Sequence, residues 1–583
     1  MNHRFRIWAP AAATVDVVVD GARHAMRATP GGWWDATVDG VRTDARYGFS
    51  LDGGEPLKDP RSVRQPDGVH GLSQLYDHST FAWSDSGWRG RPWAGTVLYE
   101  LHIGTFTVAG TFDAAITRLD HVVALGATAI EVMPVNGYDG DRGWGYDGVD
   151  LYAAHEPYGG PDGLKRLVDA AHARGLAVVL DVVYNHLGPS GNVLPQLGPY
   201  FTDAHETPWG RAVNLDQPGS DEVRAFFIDN AVQWLRDFHC DGLRLDAVHA
   251  LVDHSDPSFL ADLSRVVTGL SAATSRELWL VAESDLNDPA LIRPRQAGGA
   301  GLDAMWADDL HHSLHCVLTG EHDGYYTDFG SYDDLVTSWT HGYCYAERWS
   351  GYRQRDVGLP LPEGTPAAQV VVALQNHDQV GNRAVGDRLS HSISVDLVMI
   401  GAAVVLLSPM TPLLFMGEEW AASTPWRFFA GHTDPQLQEA VRTGRRREFA
   451  AFGWDPAAVP DPEDPATFRA SVLDWQELIT ARSATMLAWY RALLRLRSTE
   501  PDLADGRLDR TGAAAYEGAG WISLRRGAIV LAINLVERRQ VVPTPGAVLE
   551  VLAASAPGYA FGPDAITLDG PGVVIARLVT APA

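Results

Sequence analysis

The sequence predicts an α/β chain: a (β/α)8 TIM barrel with an N-terminal and a C-terminal β-sandwich domain. Three observations predict it. The two ends of the chain read as short β runs punctuated by Gly/Asp turns, with no long helical period. Between them, eight short apolar strands alternate with helices, the pattern of a parallel barrel. Polar and acidic residues also cluster at the C-terminal ends of those strands, the edge where a parallel barrel carries its chemistry. The expected domains are 1–92, 93–498 and 499–583.

The elements follow in order. Phe5-Arg-Ile-Trp8 and Thr14-Val-Asp-Val-Val-Val19 are strands, separated from later ones by Gly31-Gly32, Asp39-Gly40 and Asp52-Gly53-Gly54. The Trp/Pro/Gly-rich stretch Trp83 to Trp93 is the linker out of this first domain. The eight barrel strands are expected at 97–103, 129–133, 177–183, 242–248, 278–282, 303–307, 369–375 and 412–416. Helices are expected at 111–126, 164–175, 222–238, 259–270 and 394–407, and helix 484–497 closes the barrel. The alternative is a doubly wound sheet. It is disfavoured by eight repeats and by the lack of a Gly-rich phosphate loop; Gly143-Trp-Gly-Tyr146 is not one. After residue 500, Ala514-Ala-Tyr516, Trp521-Ile-Ser-Leu524, Ile529 to Ile533 and Val573-Val-Ile-Ala576 return to short strands.

Bulk properties narrow the function. Asp plus Glu number 73 against 46 Lys plus Arg, so the net charge is −27. That is a poor match for nucleic acid or an anionic membrane. A neutral ligand such as a sugar remains open, and 19 Trp, 18 Tyr and 18 Phe supply flat faces for sugar rings as well as for cores. Cys240, Cys316 and Cys344 have neither metal nor disulfide spacing, which fits a reducing compartment. The start has no apolar core of signal-peptide length, so a cytoplasmic protein is expected.

The stretch Asp241-Gly-Leu-Arg-Leu-Asp-Ala-Val-His249 is the most telling. Arg244 and Asp246 are two apart on a buried strand and face the same side. Packing alone would favour apolar residues there. Other strand ends supply further polar groups: Asp181 to His186, Glu283-Ser-Asp285, Asp308-Asp309-Leu-His-His312, Gln375-Asn-His-Asp378 and Glu418-Glu419. At least four carboxylates therefore converge on one mouth. A retaining glycosidase needs two of them, one nucleophile and one acid that later acts as base. Asp246 beside Arg244 should be the ionised one, and Glu283 behind the apolar run Leu278 to Ala282 the acid. Asp378 is a third carboxylate that could hold sugar hydroxyls. The histidines near Asp308 (His311, His312, His315) have helical ligand spacing, but a sugar-binding rim is the preferred reading over a metal site. Glu418 and Glu419 are expected to order the site wall.

Asp181-Val-Val-Tyr-Asn-His186, Gly242-Leu-Arg-Leu-Asp246, Val281-Ala-Glu-Ser284 and Gln375-Asn-His-Asp378 resemble, in order and spacing, the four signature regions of the α-amylase superfamily, glycoside hydrolase family 13. The resemblance implies Asp246 as nucleophile, Glu283 as general acid/base and Asp378 as transition-state stabiliser. It implies sugar contacts from His186, Arg244, His377 and Tyr146, and no cofactor. A closer likeness covers nearly the whole chain. It is carried by Tyr99 to Phe106, Ala304 to His312, Gly324 to Gly330, Asn376 to Arg383 and Phe415 to Trp420 with Ser423-Thr-Pro425. It is to the trehalose-releasing members of the superfamily, whose N-terminal domain is of the carbohydrate-binding-module type. It implies maltooligosyl trehalose and maltooligosaccharides as partners, and maltooligosyl trehalose synthase as the pathway partner. His249-Ala250 replaces the Lys-His pair of many amylases, which points to a different leaving group. The large calcium-binding insertion of those enzymes is expected to be absent, and Asn185 alone is slight evidence for a metal. Trp209, Tyr325, Tyr352, Arg353 and Arg383 are the candidates on the trehalose side. The alternatives are an α-1,4-glucan branching enzyme and a glucan-binding protein with a dead barrel; the latter would lack a triad member, and none is missing.

Overall fold

The structure, a computed structural model, describes residues 2–450 and 458–579; Met1 and the last four residues expected in the C-terminal domain, 580–583, lie outside them. Eight parallel strands close into a barrel. They are β1 (Leu98–Leu101), β2 (Ala129–Val132), β3 (Ala177–Val182), β4 (Gly242–Leu245), β5 (Trp279–Ala282), β6 (Ala304–Trp306), β7 (Val370–Ala373) and β8 (Thr411–Phe415). Each coincides with an expected strand. Neighbours follow chain order, and β8 pairs with β1 to close the ring. Every β4 residue is buried, as a strand with helices outside it must be.

Register brings the site together. Asp181 pairs with Arg244 and Arg244 with Val281, so residues 246 and 283 leave β4 and β5 side by side. On the far side of the ring Glu100 pairs with Glu131.

The expectations fail at some ends. The fourth strand stops at Leu245 instead of 248, because Ala247 takes a left-handed turn (φ +41°) and Val248–Ala250 form a 3-10 turn. The first stops at Leu101 because His102 opens a helical turn, Ile103–Phe106. The helix expected over 111–126 is two, Phe112–Ile116 and Leu119–Leu125. At the break the Thr117 hydroxyl donates to the Ala114 carbonyl (2.6 Å), the local competition that lets Thr interrupt helices.

The N-terminal region is two antiparallel sheets of three and four strands, and the C-terminal region two of five and three. Both are docked by buried polar anchors. Lys58 pairs with Asp150 at 2.6 Å with both side chains buried, and Arg526 donates to the Leu407 and Ser408 carbonyls. The linker lies against the bottom of the barrel. Trp83 stacks on His239 at 3.8 Å, and the Trp88 indole donates to Asp241 at 2.7 Å. Among the described residues no helix is long and apolar enough to cross a membrane.

Candidate active site

Arg244 is the centre of the mouth. Its guanidinium is fully buried on β4 and lies over the Trp306 ring at 4.5 Å. Nη1 donates to Asp181 Oδ2 and to Asp246 Oδ1, both at 2.8 Å, and Nη2 lies 3.7 Å from Glu283 Oε2. One cation therefore holds carboxylates from three consecutive strands. A buried charge persists only when paired and hydrogen-bonded.

The pair Asp246 and Glu283 is driven apart in acidity. Burial pushes the Asp246 carboxyl up, but Arg244, His186 and the Asn185 amide outweigh it and hold it below its ordinary value. The Asn185 amide donates to Asp246 Oδ2 at 2.8 Å and to the Asp246 carbonyl at 2.8 Å. For Glu283 burial wins, with Asp246 and Asp378 adding to it, and its pKa is pushed up to about 8. Ala247 contributes its backbone: bent into the left-handed region, it aims its N–H at Glu283 Oε2, 2.6 Å away. Such strain in a residue with a Cβ persists only where the surroundings enforce it.

Asp378 sits in the first turn of the helix His377–Gly381, which Asn376 caps by accepting from the Asp378 and Gln379 N–H groups. Its side chain is half exposed, 3.5 Å from His377 Nε2. Below it runs a hydrogen-bonded chain. His377 Nδ1 meets Glu100 Oε1 at 2.6 Å, and Nε2 meets the Tyr146 hydroxyl at 2.7 Å. That hydroxyl donates to Asp181 Oδ2 at 2.7 Å. Gly145 (φ +99°) makes this approach of Tyr146 possible, because a Cβ there would fall 2.3 Å from the Pro134 carbonyl oxygen. Tyr146 stacks on His377, with rings 5.3 Å apart at 19°.

The other expected residues divide into groups. His186 is buried and stacks on Trp209 (4.8 Å, 5°), which is half exposed on the 201–213 hairpin. Arg353 pairs with Asp285 at 3.0 Å, and His249 lies 3.9 Å from the same carboxylate. His249, Asp285 and Arg353 thus form one rim from the ends of β4 and β5 and the 351–354 turn. Tyr352 is half exposed in that turn. Tyr325 stacks on His312 at 4.9 Å. Arg383 is held by Glu321 and Asp387, both at 2.9 Å. Glu418 and Glu419 are buried in the wall, accepting from Tyr490, and from Tyr99 and His121, respectively.

One group in the site was not nominated from sequence, Glu100; Asp308 stood among the expected strand-end carboxylates, and Asn185 was named only for a metal. Glu100 clamps His377 and Asp308 accepts from Gln379 at 2.9 Å, its pKa pushed up to about 7 by burial and by Asp378. Asn185 binds Asp246. The signal for Glu100 was present: it is a lone charge in an apolar strand, as Arg244 is. Among the described residues the His311/His312 cluster does not form a metal-ligand group; His205, Asp216 and His254 do lie close enough to hold an ion.

A closed parallel barrel with this carboxylate pair at its C-terminal edge defines a glycosidase of the α-amylase type. Accordingly, residues 74–196 match the alpha amylase catalytic domain model, and residues 1–65 match carbohydrate-binding module 48, the isoamylase N-terminal domain. The chain is 51% identical to the malto-oligosyltrehalose trehalohydrolase of Arthrobacter ramosus, over 99% of this chain and 100% of that one. A solved Salmonella typhimurium protein assigned to the alpha amylases superposes with a TM-score of 0.91 at 38% identity, covering 99% of this chain and 98% of that one. The Corynebacterium jeikeium 1,4-alpha-glucan branching enzyme is more distant, 28% identical over 72% of this chain and 61% of its own length. The chain belongs to the malto-oligosyltrehalose trehalohydrolase family.

Proposed function

We propose that this chain is a retaining glycoside hydrolase that cleaves the α-1,4-glucosidic bond next to the terminal trehalose of maltooligosyl trehalose and releases trehalose. The observation that carries the mechanism is the pair Asp246 and Glu283, hung on one guanidinium yet pushed in opposite directions. Asp246 attacks C1 of the sugar while Glu283 gives its proton to the departing 4-oxygen of trehalose. Glu283, now a carboxylate, takes a proton from water, which hydrolyses the glycosyl ester with net retention. Asp378, half exposed beside His377, holds hydroxyls of the distorted ring. Tyr146, His186, Arg244 and His377 complete that subsite.

Trp209, Tyr325, Tyr352, Arg353 and Arg383 are the proposed contacts on the trehalose side. The rim of His249, Asp285 and Arg353 supports the place of Arg353 among them, since it lies next to the acid that protonates the leaving group. The substrate would come from a maltooligosyl trehalose synthase. The three cysteines are all free and buried, which suits a reducing, cytoplasmic setting. Incubation with maltooligosyl trehalose and chromatography tests the reading. Free trehalose is expected; its absence, or new α-1,6 linkages made from amylose, would overturn it in favour of a branching enzyme.

A further inference from the structure

Glu100 has no part in the chemistry above, yet it is buried beneath the site and makes two bonds to one residue. Its Oε1 meets His377 Nδ1 at 2.6 Å and its Oε2 accepts the His377 backbone N–H at 2.9 Å. It reaches from the C-terminal end of β1 to the first residue of the helix after β7.

The hydrogen-bond chain fixes where the protons are. Asp181 Oδ2 accepts from Arg244 and from the Tyr146 hydroxyl. That hydroxyl has spent its proton and must accept from His377 Nε2, which therefore carries hydrogen. At the other end Nδ1 faces Glu100 Oε1, and because an ionised carboxylate can only accept, Nδ1 opposite an ionised Glu100 carries hydrogen too. Both ring nitrogens are donors, and the ring is an imidazolium. We propose that Glu100 is a positioning residue that keeps His377 protonated and aimed at the reacting sugar.

The surrounding charges agree. His377 faces Glu100 from β1, Glu131 from β2, Asp181 from β3, Arg244 from β4, Tyr146 and His102 from neighbouring loops, and Asp378 on its own helix. Arg244 alone is outnumbered by carboxylates, and a second cation narrows the excess. Glu131 does not add to the negative charge, because burial and the neighbouring Glu100 push its carboxyl well above its ordinary value. Burial opposes charge on His377, but Asp378 and Glu100 outweigh it and bring the ring to about 9. A charged donor makes a bond roughly twice as strong as a neutral one. Hydroxyl contacts that tighten as the ring becomes oxocarbenium-like are where that difference acts on rate.

The role of His377 at the sugar rests on the proposed function, but its charge does not. Nitrogen-15 NMR of histidine-labelled enzyme, with the His377 signals assigned by their loss in His377→Gln, reads the charge directly. At pH 7.5 both nitrogens of His377 should resonate as protonated, and in Glu100→Gln they should become those of a neutral ring. Glu100→Gln should lower kcat at pH 7.5 by about 10- to 100-fold and change KM less than threefold. A neutral His377 in the wild-type enzyme overturns the proposal, whether or not Glu100→Gln folds. So does a His377 that stays charged without Glu100. If wild-type enzyme releases no trehalose while His377 is charged, the functional reading fails and this inference stands.

Discussion

Asp241 and Asp246 stand at the two ends of one strand, β4, and both are buried. At the lower end Asp241 is saturated: it accepts from His172, Arg276, the Trp88 indole and the Val178 N–H. At the upper end Asp246 accepts from Arg244 and Asn185 and lies at the barrel mouth, with a second carboxyl, Glu283, alongside. The same side chain does structural work at the bottom and is poised for chemistry at the top, as the polarity of a parallel barrel leads one to expect. What separates them is how far their lone pairs are satisfied by fixed protein donors, and what lies next to them.

The largest effect should come from Asp246→Asn. Turnover should fall by roughly 10⁴-fold or more, as loss of an activated nucleophile does, while thermal unfolding moves little. Product assays and calorimetry check it; residual turnover within 100-fold would break the contrast.

Glu283→Gln should cost about 10²- to 10⁴-fold in kcat, the range for a lost general acid. The enzyme should also lose activity as pH rises through about 8, where Glu283 gives up its proton. The same shift carries a stability signature. A carboxyl whose pKa is raised on folding contributes stability that is complete below its unfolded value, about 4.3, and is lost as pH rises through its folded value. Glu283→Gln should therefore be more stable than wild type at pH 8, and the gap should narrow towards pH 5. Denaturant titrations at the two pH values read this.

Asp241→Asn is the mirror image. Removing one partner of a buried ionic network costs about 3–5 kcal/mol, so the denaturation midpoint should drop while kcat of the folded fraction is kept. A fall in kcat without loss of stability would mean that the two ends of β4 are not separable. The smallest effect belongs to Trp209→Ala, which removes a half-exposed ring stacked on His186. KM should rise less than tenfold and kcat stay within twofold in steady-state assays.

Most of the barrel was legible because its strands are short apolar runs, and a charge inside such a run has few structural excuses. Arg244 and Asp246 could be singled out that way, and Glu283 and Asp378 as carboxylates following strand ends. The end of the fourth strand could not, since the left-handed turn at Ala247 is imposed by tertiary contacts and has no glycine to announce it. Nor could the break at Thr117, where a side-chain hydroxyl competes locally with the helix. Glu100 was passed over for a different reason: it lies at a strand's end far from Asn376-His377-Asp378 in sequence, and only closure of β8 onto β1 brings the two together. The clamp on Arg353 likewise depends on a long loop folding back onto Asp285.

The measurement that bears most directly on the account is proton NMR of the first products from maltotriosyl trehalose. Trehalose should appear together with maltotriose as its α-anomer, before mutarotation sets in, as a nucleophile and acid sharing one guanidinium imply. Maltotriose appearing first as the β-anomer, or no trehalose at all, would contradict it.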